Sequence, residues 1–171
     1  VLSAIFAIGL LPFLEMTFGI LAPTRLLELL NPTHPLLKKL LVEAPGTYHH
    51  SMMVANLAET ACEAIGADGL LARVGAYYHD LGKTRRPLYF IENQHGLNPH
   101  DRLKPEESAR VILAHTDDGV DLLEEAKIPG VIVDICREHH GTSLLRYFYV
   151  KATEQGEVNE ADFRYSGPKP Q

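Results

Sequence analysis

Residues 68–83 read DGLLARVGAYYHDLGK, and this stretch decides the fold. An N-capping aspartate opens it, apolar residues recur at helical spacing, and Gly82 follows just beyond the adjacent pair His79 and Asp80. The spacing predicts a helix over 68–80. Working outward, a helix is expected before it over 48–65, where His50, Val54, Leu57, Ala61 and Ile65 form one stripe and Gly66 ends the run. On the other side, residues 83–104 hold Pro87, Gly96 and Pro99 and read as a loop with short helical pieces. Pro105 suits the first position of a helix through His115, and a further short helix is expected near Asp118. Another runs from Pro129 through His140 and is stopped by Gly141. A last helix is expected over 143–153, before a polar tail. No segment sustains period-two alternation, so the predicted fold class is all-α.

The 171 residues suffice for one well-buried domain and are too few for two ordinary ones. With 46% hydrophobic and 22% charged residues the composition is globular. A net charge of -6 speaks against a protein that wraps duplex nucleic acid, since that affinity comes from Lys and Arg on phosphates. A small phosphate ester in a pocket needs only a few local cations. Cys62 and Cys136 lie in apolar helical patterns and are expected as reduced, buried thiols.

Residues 1–22 carry a single ionisable side chain, Glu15. The run approaches the ~20 apolar residues of a bilayer crossing, while Pro12, Glu15 and Gly19 interrupt a straight span. It reads as the end of a transmembrane helix followed by an interfacial segment, with Arg25, Lys38 and Lys39 on a cytoplasmic flank. The turn cluster over 31–35 then separates two parts. Residues 1–30 are expected to be membrane segment and linker, and residues 31–171 the domain proper.

The nine histidines are the compositional oddity. His50 lies on the first core helix, His79 and Asp80 close the second, His115 the third, and His139 and His140 the fourth. Converging ends of packed helices are how bundles build metal sites. Imidazole and carboxylate together suit Fe, Mn or Zn, and several such ligands suit a two-metal site. Neighbours on a helix diverge by ~100°, so His79 and Asp80 would bracket a pair of ions, with Asp80 bridging. A His-Asp pair alone is weak: roughly 0.4 are expected by accident in a chain of this composition, and His100-Asp101 is a second. The ordered set carries the reading. His50 is preferred to His49 because it shares a face with Val54 and Leu57. His34, His95 and His100 fall in turn-rich sequence and are expected in solvent, the last two bordering a pocket.

These residues resemble the HD superfamily of metal-dependent phosphohydrolases. The strings LLELLNPTHPLLKKLLVEAPGTYHHSMMVANLAE (26–59), ARVGAYYHDLGKTRRPLYFIENQ (72–94), NPHD (98–101) and REHHGTSLLRYFY (137–149) are more specific. They look like the membrane-anchored seven-transmembrane HD family, the PgpH-type cyclic di-AMP phosphodiesterases, and the resemblance runs from the apolar start to the closing GPKPQ. It implies an HD-domain helical bundle whose dinuclear centre, with two iron or manganese ions, cuts cyclic di-AMP to pApA by attack of a metal-bridging hydroxide. The implied ligands are His50, His79, Asp80, His115, His139 and His140. The family has one further aspartate on a helix beyond the GPKPQ segment, and Asp162 stands in another context, so a C-terminally truncated domain is expected.

Lys83, three residues past Asp80, is then placed to neutralise a phosphate oxygen. Arg85 and Arg86 are candidates for the second phosphate, and Tyr89, Asn93 or His95 for adenine. The resemblance also places the domain on the cytoplasmic side of the cell membrane and leaves room for a homo-oligomer. Two alternatives remain: an HD hydrolase of another nucleotide, or a catalytically silent nucleotide sensor. A cyclic di-GMP enzyme is disfavoured because His140-Gly141 runs into Thr142-Ser143 rather than a GYP tripeptide.

Overall fold

Proline punctuates this chain, and four of its helices begin on one. A computed structural model describes residues 9–10 and 21–170. Helices α1 (Pro23–Leu29), α2 (Pro35–Glu43), α3 (Pro45–Ala64) and α5 (Pro105–Glu125) each carry proline in the first turn, where its missing N–H costs nothing and its fixed φ suits the helix. Helix α4 (Gly69–Tyr78) starts at the expected cap, Asp68, whose carboxylate accepts from the Leu71 N–H at 2.9 Å. Helices α6 (Gly130–Glu138) and α7 (Arg146–Thr153) follow them along the chain. Short 3₁₀ turns fill the stretch between α4 and α5, as the loop reading anticipates. Among the described residues the sole β pairing is an isolated bridge, Leu144 with Arg164. The fold is all-α.

Several boundaries differ from expectation. Pro45-Gly46 is the first turn of α3 and not a break before it. The helices expected over 105–115 and near Asp118 are one, α5, so His115 lies mid-helix and does not close it. The run Asp117-Asp118-Gly119 looks like a stop, but its glycine serves packing. A Cβ on Gly119 would stand 2.7 Å from Cys136 Sγ, and one on Gly82 would stand 1.9 Å from the His115 carbonyl oxygen. Residues 142–145 bridge to the tail, so α7 starts later than predicted: the Leu145 N–H donates to the Phe163 carbonyl and the Tyr165 N–H to that of Ser143.

The core lies between α1, α2, α3, α4, α5 and α6. Leu29, Leu37, Leu40, Val74, Tyr78, Leu81, Leu123 and Ile132 are fully buried in it. Burial of side chains of this size stabilises by about 1.5–3 kcal/mol each. Packing runs past the boundary expected at residue 30, because Leu26 and Leu29 of α1 enter the same core and the Tyr78 hydroxyl donates to the Leu29 carbonyl at 2.7 Å. A smaller cluster of Ala109, Ala152 and Phe163 ties the tail to α5 and α7.

The buried stripe of α3 is a correction. Thr47, Ser51 and Ala55 face inward, while Leu57 (72% exposed) and Ile65 (81%) of the expected apolar face point to solvent. Small residues let α3 approach its neighbours closely, and packing overrides the hydrophobic count. Cys136 is buried as expected, whereas Cys62 is only partly so, and both are free thiols. Most of residues 1–22 lie outside the described residues. Among the described ones, no helix is long and apolar enough to cross a membrane.

The glycine contacts give a direct test. Gly82→Ala should destabilise by about 3 kcal/mol, since overpacking against backbone has no side chain to yield. Gly130→Ala, with nothing within 4 Å of its added Cβ, should stay within about 0.5 kcal/mol of the parent. Urea unfolding of the two variants measures the difference.

Candidate metal centre

Asp80 is 2% exposed, one residue past the C-cap of α4, where the chain turns into the 3₁₀ segment Leu81–Arg85. A carboxylate at that depth needs compensation. Its Oδ2 lies 3.1 Å from His79 Nε2, 4.0 Å from His50 Nε2 and 2.8 Å from Lys83 Nζ. Its Oδ1 lies 3.4 Å from His115 Nε2 and 3.7 Å from His139 Nε2. The carboxylate therefore stands between two sets of imidazoles. His50, His79 and Asp80 form one group of donors and His115, His139 and His140 the other, with the donor atoms of each within 4.8 Å of one another. All six sequence-predicted ligands come together.

Local structure aims three of the rings in the same way. His79 Nδ1 lies 2.6 Å from the Ala76 carbonyl, His115 Nδ1 2.6 Å from that of Ile112, and His139 Nδ1 2.8 Å from that of Cys136. In each case the partner is three residues back on the same helix. A proton on Nδ1 satisfies that carbonyl and leaves Nε2 as a lone-pair donor, the arrangement that orients histidine ligands. The Cys136 thiol, pushed up to about 12 mainly by burial, donates to the His79 carbonyl. Asp80 Oδ1 is buried with no hydrogen-bond partner, as an oxygen reserved for a cation would be. The donor set of imidazoles and one carboxylate fits divalent iron, manganese or zinc.

The electrostatics hold Asp80, His139 and His140 in ligand form. Burial alone would raise the Asp80 pKa, but the imidazoles of His115, His139 and His79 reverse it and hold the carboxyl well below the usual range. Burial, then repulsion from His139 and His115, pushes His140 down to about 3. His139 is lowered by burial, which outweighs its contact with Asp80. His79 goes the other way, because its contacts with Asp80 overcome burial.

Other expectations fare unevenly. Lys83 sits at the centre, bridging Asp80 and Glu92. Arg86 is exposed and donates to Asp118 Oδ2 at 3.0 Å, and Arg85 is exposed. Asn93 is buried and holds Thr47 through both its amide oxygen and its amide nitrogen, so it does not reach a surface where a base could lie. Tyr89 and His95 line a groove of about 610 Å³ with Leu97, Pro99 and Arg102. His100 is buried rather than in solvent: its ring packs on Phe148 and its Nε2 meets the Tyr89 carbonyl. His34 is half-buried and caps α2. Sequence reasoning missed Glu92, Thr47 and Tyr165. The last stacks on His140 with ring centroids 4.2 Å apart, and nothing periodic in the tail marks it.

The sequence matches the family profile described as HD domain over residues 47–162. It is 63% identical over 171 residues to the cyclic-di-AMP phosphodiesterase PgpH of Bacillus subtilis, covering 99% of this chain and 24% of that protein. It is 61% identical to the protein of that name from Listeria monocytogenes over 98% of this chain and 24% of the relative. The chain thus spans about a quarter of the length of the curated relatives it matches. The crystal structure of the L. monocytogenes PgpH HD domain in complex with cyclic-di-AMP superposes with a TM-score of 0.80. It is 64% identical and aligns over 82% of this chain and 67% of that one.

The neutral histidines predict an acid-sensitive metal-free fold. His34, His139 and His140 have lowered values in the folded chain, so below their ordinary 6.5 the unfolded chain binds protons that the folded one refuses. Stability is lost as pH falls through that value. His79, which is raised, contributes the opposite sign but stands alone. In EDTA, the urea midpoint should be lower at about pH 5 than at about pH 7.5, and His140→Gln should shrink the gap. An equal or higher midpoint in acid would refute the assignment.

Proposed function

Because this chain belongs to the HD domain family, we propose that it hydrolyses cyclic di-AMP to pApA with two divalent cations, iron or manganese. One observation carries the proposal: a single buried carboxylate, Asp80, stands between His50 and His79 on one side and His115, His139 and His140 on the other, with Lys83 against it. The likeness to PgpH supplies the substrate.

Divalent cations at such a centre supply Lewis acidity and lower the pKa of a bound water. His50, His79 and Asp80 would hold one, and His115, His139 and His140, with Asp80, the other. The chain's own contribution is positional. Asp80 and the three carbonyl-anchored histidines fix the donors before substrate arrives, so no reorganisation is needed during reaction. Lys83 presents an ammonium beside the centre, suited to a non-bridging oxygen of the scissile phosphate as negative charge grows there. Water adds across one P–O3′ bond, leaving a 5′-phosphate and a 3′-hydroxyl. The Arg85 and Arg86 guanidinia flank the same turn, and we assign Arg86 to the second phosphate, which would draw it from Asp118. The groove at Tyr89 and His95 is suited to an adenine, whose apolar faces match its Leu97 and Pro99 walls.

We further propose that the domain works on the cytoplasmic face of a membrane to which residues 1–22 belong. Their apolar run and the basic residues Arg25, Lys38 and Lys39 beyond it support this.

The purified chain with Mn²⁺ should convert cyclic di-AMP to pApA, read by chromatography. Asp80→Ala should lose metal and slow turnover by about 100-fold or more. Lys83→Ala should keep its metal content at saturating Mn²⁺ and lower kcat by about 10- to 100-fold. Full metal content without turnover in the parent would instead favour a sensor or another nucleotide substrate.

A further inference from the structure

Lys83 is held by more than the centre needs. Its Nζ lies 2.8 Å from Asp80 Oδ2 and 2.9 Å from Glu92 Oε1, with the side chain 14% exposed and the ammonium 5.0 Å from the centre of the Phe90 ring. Glu92 is itself anchored. Its Oε1 also accepts from the Thr47 hydroxyl at 2.8 Å. Asn93 then grips Thr47 from both sides, accepting from its N–H at 3.2 Å and donating to its hydroxyl at 2.8 Å. The first of these bonds satisfies an N–H in the first turn of α3 that the N-cap residue, Ala44, cannot reach with a side chain. Gly46 makes room, since a Cβ there would lie 1.9 Å from the Glu92 carbonyl oxygen.

The network ends one helical turn from a ligand on each side: Thr47 precedes His50 by three residues and Lys83 follows Asp80 by three. Glu92 belongs to neither donor group, so cations bound there would leave its carboxylate to the lysine. An ammonium and a dication a few ångströms apart repel strongly in a buried site. With Asp80 engaged by cations, Lys83 would leave for solvent unless a second anion retained it. We propose that Glu92, clamped by Thr47 and Asn93, is that anion, a positioning residue that keeps the Lys83 ammonium at the loaded centre, aimed at the phosphate. The inference rests on the phosphodiesterase reading for its catalytic consequence, but not for the coupling between the two side chains.

A double-mutant cycle of Glu92→Gln and Lys83→Met in the full chain tests it, with Mn²⁺ affinity by calorimetry and cyclic di-AMP turnover at saturating Mn²⁺ as separate readouts. Glutamine keeps an acceptor for Thr47, and matched thermal midpoints of the metal-free variants exclude a folding defect. Glu92→Gln should weaken Mn²⁺ binding about three- to tenfold and lower kcat about tenfold with KM within about twofold. In the Lys83→Met background the same change should do nothing further to either. A carboxylate acting only through its field, or only on the fold of α3, would keep its effect there and overturn the proposal, as would a Glu92→Gln chain indistinguishable from the parent. If the parent fails to cut cyclic di-AMP, the functional reading falls, while the Mn²⁺ cycle still decides the coupling.

Discussion

The structure is organised around one buried charge. Asp80 is almost without solvent, and a carboxylate so placed is tolerated only where neighbours compensate it. Lys83 and the imidazoles of His79, His115 and His139 do so from α4, α5, α6 and the turn between them. Each of those elements must hold its place for the charge to be borne. The same convergence turns one carboxylate oxygen toward each set of histidines, an arrangement that could hold a cation on either side.

Close backbone approach makes the convergence possible. Gly82 rests on the His115 carbonyl and the Gly119 amide of α5, and Gly75 of α4 leaves space for Ile135 of α6. No other residue type fits there without displacing backbone or core. These glycines therefore do for the site what the leucines do for the core, fixing distances rather than supplying energy.

The loop and tail complete what the helices begin. The 3₁₀ stretch after α4 brings Glu92 and Asn93 back onto the first turn of α3, and the tail returns Tyr165 onto His140. Both segments lack an apolar period of their own. They are ordered by hydrogen bonds and ring contacts to helices far away in sequence.

That division explains what could be read in advance. The all-α class, the helix starts at Asp68 and Pro105, and the six donors were legible in order, because helical period, caps and proline positions are local signals. The continuity of α5 through Gly119 was not, since a glycine that ends a helix and one that admits a neighbour look alike in sequence. The inward face of α3 was misjudged because close packing selected Thr47, Ser51 and Ala55 over larger apolar residues. The clamp behind Lys83 was invisible, for the Thr47–Glu92 bond joins residues 45 apart. Local signals along the chain, then, marked out the helical segments and the histidines and aspartate that the structure gathers. Only the tertiary structure decided how those side chains face one another and what holds them, because such contacts are set by packing between elements and leave no period along the chain.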